Sequence, residues 1–420
     1  MKEFRRFSFN SSIYLVANIL GAALPFLLLP FLTRELGAVE YGKIGLVASA
    51  YALLLPIVGL GTHAFVRTSY YQCTPQEQKA ILGNAIILVA IACISVFIIV
   101  IGIGYVVPMP LPVKYIFVGV LSAFGQNLIS VRLVIWQMSG KPARYGLLSV
   151  FLTAMNLALS IFLVFFAQLE SIGRILGMWL PALLVGPLTM LLMYRKNEIQ
   201  LSFLPGLASR IFRFGLPLIP HSLALAMIVF VERTVLSRND DYAVLGIYFA
   251  AFQLSQPVAI LVNSVNLQFR AWSDKMMAAG EHGTVVAGSY MVMAGFFIAT
   301  LVYAYLLQYA YAQIVGERLA EGYGVAVILI FAAMFRGFYL VVAKALFFSR
   351  NTVVLMKLTV CLSLTFSAIL LFFSGLYTVA YLNLAFNTVL FISAWCASAR
   401  VYPQPWLSMP FGTLVDSWRR

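Results

Sequence analysis

Charged residues fill only 10% of the 420 positions, against roughly 25% in a typical soluble domain. Acids are scarcer still: 14 Asp and Glu stand against 28 Lys and Arg, for a formal net charge of +14. With 62% of residues hydrophobic, no water-soluble fold has core enough to hide them, so a soluble enzyme and a soluble nucleic-acid binder are both excluded. There are four cysteines, Cys73, Cys93, Cys361 and Cys396, with no CxxC pair and three of them inside apolar runs. That pattern speaks against a disulfide framework and a zinc centre and leaves small apolar filler. The glycine-rich phosphate loop ending in Gly-Lys-Ser/Thr, a dinucleotide loop and a Ser/His/Asp arrangement at a membrane surface are also missing. The sequence therefore offers no cofactor site and no means of hydrolysing ATP.

What is present is a series of apolar runs of about 20 residues or more, the length a helix needs to cross a hydrocarbon core of roughly 30 Å. Twelve such runs extend from Ile13–Leu32 to Leu376–Ala399, six on each side of a polar connection at Arg195–Arg213. Met1, Lys2, Arg5 and Arg6 imitate the start of a signal peptide, but the run behind them is too long and lacks a small-residue cleavage pattern. It reads as a retained first span. The expected fold is an all-α integral membrane protein with two six-helix lobes, residues 1–198 and 199–400, and a cytoplasmic tail at 401–420. Seventeen cations fall in loops on the side of the N-terminus and seven on the other. Because cytoplasmic loops retain Lys and Arg, both termini are expected in the cytoplasm, with the cations touching acidic membrane lipids.

A faint repeat accompanies that division. Tyr41-x3-Gly45 and Pro56 precede Tyr242-x3-Gly246 and Pro257 by 201 residues, so the second span of each half starts alike, as in transporters built from parallel repeats. The stretch Leu29-Pro30-Phe31-Leu32-Thr33-Arg34-Glu35-Leu36-Gly37-Ala38-Val39-Glu40-Tyr41-Gly42 resembles the first-loop signature of Wzx-type bacterial polysaccharide flippases, in the superfamily that also holds multidrug and toxin extruders. Leu216-Pro217-Leu218-Ile219-Pro220-His221-Ser222 followed by Glu232-Arg233 resembles the second signature, with Glu-Arg where Asp-Arg is usual. The resemblance implies two lobes around a central cation-lined cavity. It implies movement of an undecaprenyl-diphosphate-linked oligosaccharide, the repeat unit of O-antigen or a related lipopolysaccharide polymer, across the bacterial inner membrane. Its partners would be the polysaccharide polymerase and the chain-length regulator.

All fourteen acids read as loop or span-edge residues, whereas Arg132, Arg336, Lys344 and Lys357 lie inside runs. A charge at that depth costs several kcal/mol and normally faces the bundle interior or a wet cavity. With no carboxylate at equal depth, the expected partner is an anion on the ligand, and Arg grips phosphate oxygens through two parallel hydrogen bonds. Arg336 is about eleven residues, roughly 16 Å at 1.5 Å per residue, from the expected cytoplasmic end of its helix, too far to snorkel easily. Arg132 occupies the corresponding span of the first half, close enough to its end that snorkelling competes with a cavity role. Lys344 and Lys357, with Arg67 and Arg350, either contact headgroups or form a basic entrance for a doubly charged lipid head. His221 and Glu232 are candidates for proton coupling, although an interior histidine with ordinary hydrogen bonds is the simpler reading of His221. No His or Cys has partners at metal-ligand spacing.

Two other readings compete. A polymerase or ligase of lipid-linked glycans needs a substantial external loop, and the external connections here are about 14 residues or shorter. An ion-coupled drug extruder of the same fold needs acids within its spans, and only Glu232 approaches one.

Overall fold

The computed structural model describes residues 2–106, 113–238, 241–349 and 351–406. Its helices are α1 (Lys2–Gly59), α2 (Thr62–Ser69), α3 (Pro75–Val106), α4 (Val113–Met138), α5 (Pro142–Ile161), α6 (Glu170–Arg195), α7 (Pro205–Gly215), α8 (Leu218–Leu236), α9 (Tyr242–Ala278), α10 (His282–Val315), α11 (Tyr323–Phe348), α12 (Thr352–Leu370) and α13 (Leu376–Val401). A π-helical turn, Phe162–Phe166, extends α5, and a 3-10 turn, Glu317–Gly322, leads into α11. The starts are written locally. Pro142 and Pro205 begin their helices, where a missing N–H costs nothing. Thr74 and Glu77 form a reciprocal capping box ahead of α3, the Thr74 N–H donating to Glu77 Oε2 at 2.8 Å and the Glu77 N–H to Thr74 Oγ1 at 3.3 Å.

Among the described residues, eleven helices are long and apolar enough to cross a membrane. The first breaks at Gly37, whose φ of 68° and ψ of −176° leave helical space and suit glycine. The break divides α1 into two helical arms. Residues 407–420 of the anticipated tail, together with Asp240 and Arg350, lie outside the described residues.

Contacts group the chain into two compact units: Met1–Leu28 with Lys43–Phe230, and Leu29–Gly42 with Val231–Arg420. The boundary falls at Phe230, further along than the division at 198 and 199 read from the sequence, because the polar connection docks on the first unit. The Gln200 N–H donates to the Lys79 carbonyl at 3.1 Å. Asn84 donates to the Ser202 carbonyl at 3.0 Å and accepts from the Leu204 N–H at 2.9 Å. Ile199, Ala208 and Ile211 then enter a core with Phe65, Val66 and Leu82.

In the second unit α11 packs chiefly against α13 and α9. The segment Leu29–Gly42 belongs to this unit through contacts too close for any side chain. A Cβ on Gly42 would lie 2.0 Å from the Tyr242 carbonyl oxygen, and one on Gly246 1.9 Å from that of Ala38. The two stretches paired by the repeat thus touch each other.

Candidate functional site

The cations read from the sequence fall into different surroundings. In the first unit, Arg132 on α4 is 5% exposed. Its guanidinium is paired with Glu198 of the docked connection and lies 4.5 Å from the centroid of the Trp136 ring. The expectation that no carboxylate lies within reach is therefore corrected: Glu198 comes from a loop, and the loop folds back to meet the span. Arg67 on α2 is exposed and donates to Gln137 Oε1 at 3.1 Å. Both arginines fasten the last turns of α4. Asn127, on the same helix, donates to the Leu55 carbonyl at 3.3 Å, a helix-to-helix bond.

In the second unit, Lys344 is 2% exposed. Its Nζ donates to Ser289 Oγ at 2.9 Å and sits 3.6 Å from the centroid of the Phe269 ring. A headgroup contact is thus replaced by interior cation–π packing. Lys357 on α12 is exposed. Arg336, midway along α11, differs from all of these. Its side chain is accessible although protein atoms crowd around it. Among the described residues it has no hydrogen-bonded or ion-paired partner, and its nearest electrostatic neighbour is Tyr339, one turn on.

A second cluster is the one sequence reasoning missed in part. Glu232 on α8 lies about one turn from the end of its span, as expected, but is completely buried. It accepts from Tyr248 Oη at 3.0 Å and from Asn383 Nδ2 at 2.7 Å, and Asn387 Nδ2 donates to Asn383 Oδ1 at 3.1 Å. Beside it the Arg233 guanidinium lies 4.7 Å from the Phe249 ring centroid and 5.0 Å from that of Phe252. Tyr41, from the first signature, packs 5.1 Å from Phe249 and accepts from Gln253. The two signatures, nearly two hundred residues apart, therefore meet in one buried polar network. Asn383 and Asn387, four apart in an otherwise apolar run, were the legible signal for its third wall.

His221 lines a cavity of about 170 Å³ within the first unit, together with Pro56, Gly59, His63, Asn127 and Ser222. His63 is on the short helix α2, beyond the apolar span, where shelter from water and then the Arg67 cation hold its pKa below the ordinary imidazole value. Among the described residues no group of three or more His, Cys, Asp or Glu is placed to hold a metal.

These features define a class: a polytopic helical membrane protein. The structure matches an inward-facing multidrug resistance MATE family transporter of the MOP superfamily with a TM-score of 0.72 at 13% identity, over 90% of this chain and 94% of that one. The outward-facing conformation of such a transporter matches with a TM-score of 0.62 at 16% identity, over 93% and 95%. At these identities the likeness is one of fold. The chain belongs to the polysaccharide biosynthesis protein family, whose model matches residues 8–269, in accord with the resemblance to Wzx-type flippases. It is 25% identical over 271 residues to the Lsg locus putative protein 1 of Haemophilus influenzae, covering 63% of this chain and 64% of the relative. An uncharacterized membrane protein of the same organism is 27% identical over 263 residues, covering 61% and 62%. The alignments thus span a little under two thirds of either relative's length. Family and fold together place the chain among multi-pass helical membrane proteins of the polysaccharide biosynthesis family, with the fold seen in MATE transporters.

Proposed function

We propose that this protein is a flippase that moves an undecaprenyl-diphosphate-linked oligosaccharide repeat unit from the cytoplasmic to the periplasmic leaflet of a bacterial inner membrane. Movement is by alternating access, with both termini in the cytoplasm. The observation that carries the reading is Arg336, an accessible cation in mid-span with no acid beside it among the described residues. Keeping it there costs several kcal/mol, which a ligand diphosphate would offset through paired charge-assisted hydrogen bonds. Lys357 and Arg67, both exposed, remain candidates for gathering the lipid head. Arg132 and Lys344 have their own partners and are second choices. Because Glu232 is fully buried near the end of its span, the contrast with a drug extruder rests on Arg336 and not on an absence of buried acids. Glu232 and His221 are the groups proposed to couple transport to a proton gradient.

The test is to delete the protein and recover the lipid-linked intermediates. Complete repeat units should accumulate on the inner leaflet. Single units delivered outside but never joined would indicate a polymerase, and changed drug resistance with normal surface polymer would indicate an extruder.

A further inference from the structure

Beyond α13 the chain does not leave the second unit. Tyr402-Pro403-Gln404-Pro405-Trp406 folds across the ends of three spans, and its two prolines fix an extended path. Tyr402 packs at 5.4 Å from the His282 ring of α10 and 5.6 Å from Phe348 of α11. At the other end, Trp406 is 6% exposed, with its ring 5.8 Å from Tyr290 and 5.5 Å from Trp395 of α13. Tyr290 Oη donates to the Trp406 carbonyl at 2.8 Å, and the Trp406 N–H donates to the Gln404 carbonyl at 2.8 Å. Trp395 continues an aromatic row with Phe391, Phe338 and Phe335, in steps of 5.7, 5.5 and 5.5 Å.

Such a seat accounts for the apolar part of the segment but not for its polar atoms. Both the carbonyl oxygen and the amide nitrogen of the Gln404 side chain are buried without a hydrogen-bond partner, and so is the indole N–H of Trp406. Buried polar atoms are ordinarily satisfied, and a group left over calls for a reason. Two donors and an acceptor beside a row of partly open aromatic rings are the chemistry that binds a sugar: hydroxyls take the polar atoms and the apolar ring face lies on the aromatic one.

The geometry points to a saccharide subsite at this end of the second unit, occupied in this structure by the protein's own Tyr402–Trp406 segment, which acts as its lid. A sugar ring of the cargo displaces Trp406 from Trp395, and the Gln404 amide and Trp406 indole then bond its hydroxyls. This inference rests on the flippase reading and adds to it where the glycan, as distinct from the diphosphate, is first recognised.

The lid can be read by thiol labelling. With Cys73, Cys93, Cys361 and Cys396 replaced by Ser, the variant Pro405→Cys, which keeps Gln404 and Trp406, is exposed to a maleimide in membrane vesicles from two strains, one making the lipid-linked repeat unit and one unable to. Labelling should be several-fold faster where the repeat unit is present, and unchanged when bare undecaprenyl diphosphate is added to the deficient vesicles. Adding Trp406→Ala should make it fast in both. Equal rates in the two kinds of vesicle, or acceleration by the bare diphosphate, would overturn the proposal. In intact cells Trp395→Ala should lower surface polymer several-fold at an unchanged amount of folded protein, and Trp395→Phe should restore most of it; normal polymer in Trp395→Ala would also overturn it. If labelling does not respond yet the deletion strain accumulates repeat units, only the lid is wrong. If no units accumulate, the flippase reading itself has failed.

Discussion

Arg132 and Arg336 occupy the fourth span of their respective halves, and they are in opposite states. Arg132 is paired with Glu198 and lies over Trp136, whereas Arg336 is accessible with no ion-paired acid among the described residues and Tyr339 as its electrostatic neighbour. The difference comes from a loop. The connection after α6 docks through Asn84 and Gln200 and carries its carboxylate to Arg132. Equivalent positions in a repeat thus fix where a cation enters the membrane but not what it does there. Arg132 is held by the fold's own carboxylate, and Arg336 is the residue proposed to meet the ligand.

The largest expected effect falls on the open cation. Arg336→Glu should abolish transport, because a carboxylate repels a diphosphate strongly where the dielectric is low. Arg336→Ala should lose about 2 kcal/mol or more of cargo binding, roughly thirtyfold. Arg336→Lys should keep part of the activity, since the charge survives without the two-pronged geometry. Surface polymer measured alongside folded protein checks the series.

The paired cation should respond the other way, in stability before transport. Arg132→Ala leaves Glu198 without its partner, at a cost of about 1–3 kcal/mol, below that of a fully buried pair because Glu198 is 37% exposed. Thermal unfolding in detergent should show the loss, and the exchange Arg132→Glu with Glu198→Arg should recover part of it. If Arg132→Ala unfolded like the parent protein but failed to transport, the two arginines would share a role and the contrast would collapse.

Much of the fold was legible because a span's length and apolarity are set by the bilayer. Gly37, between two runs, marked the break, and the proline and capping-box starts of α3, α5 and α7 were written locally. The site was legible only where depth decides. Arg336 could be found by counting residues from a helix end. Lys344 could not, since depth along α11 says nothing of the Phe269 ring and Ser289 hydroxyl on neighbouring spans. Glu198 looked like a solvated loop acid because its docking depends on Asn84, more than a hundred residues earlier. The burial of Glu232 was not legible because its partners Tyr248 and Asn383 come from two other helices.

The smallest effect is expected at that network. Glu232→Gln preserves shape and one acceptor, so the folded amount should fall only slightly, with about 1–3 kcal/mol lost if the new amide N–H finds no partner. Transport driven by an imposed pH gradient should lose its stimulation while downhill movement persists. Stimulation equal to that of the parent would remove Glu232 from coupling and leave His221.

The most direct measurement is translocation by the purified protein. Proteoliposomes carrying the lipid-linked repeat unit in both leaflets would be treated with a glycan-modifying enzyme confined to the outside. With the parent protein the protected inner fraction should become accessible over time, and with Arg336→Ala it should stay protected, as in protein-free vesicles. An inner fraction that remains protected with folded parent protein present, or that is released equally by Arg336→Ala, would contradict the account.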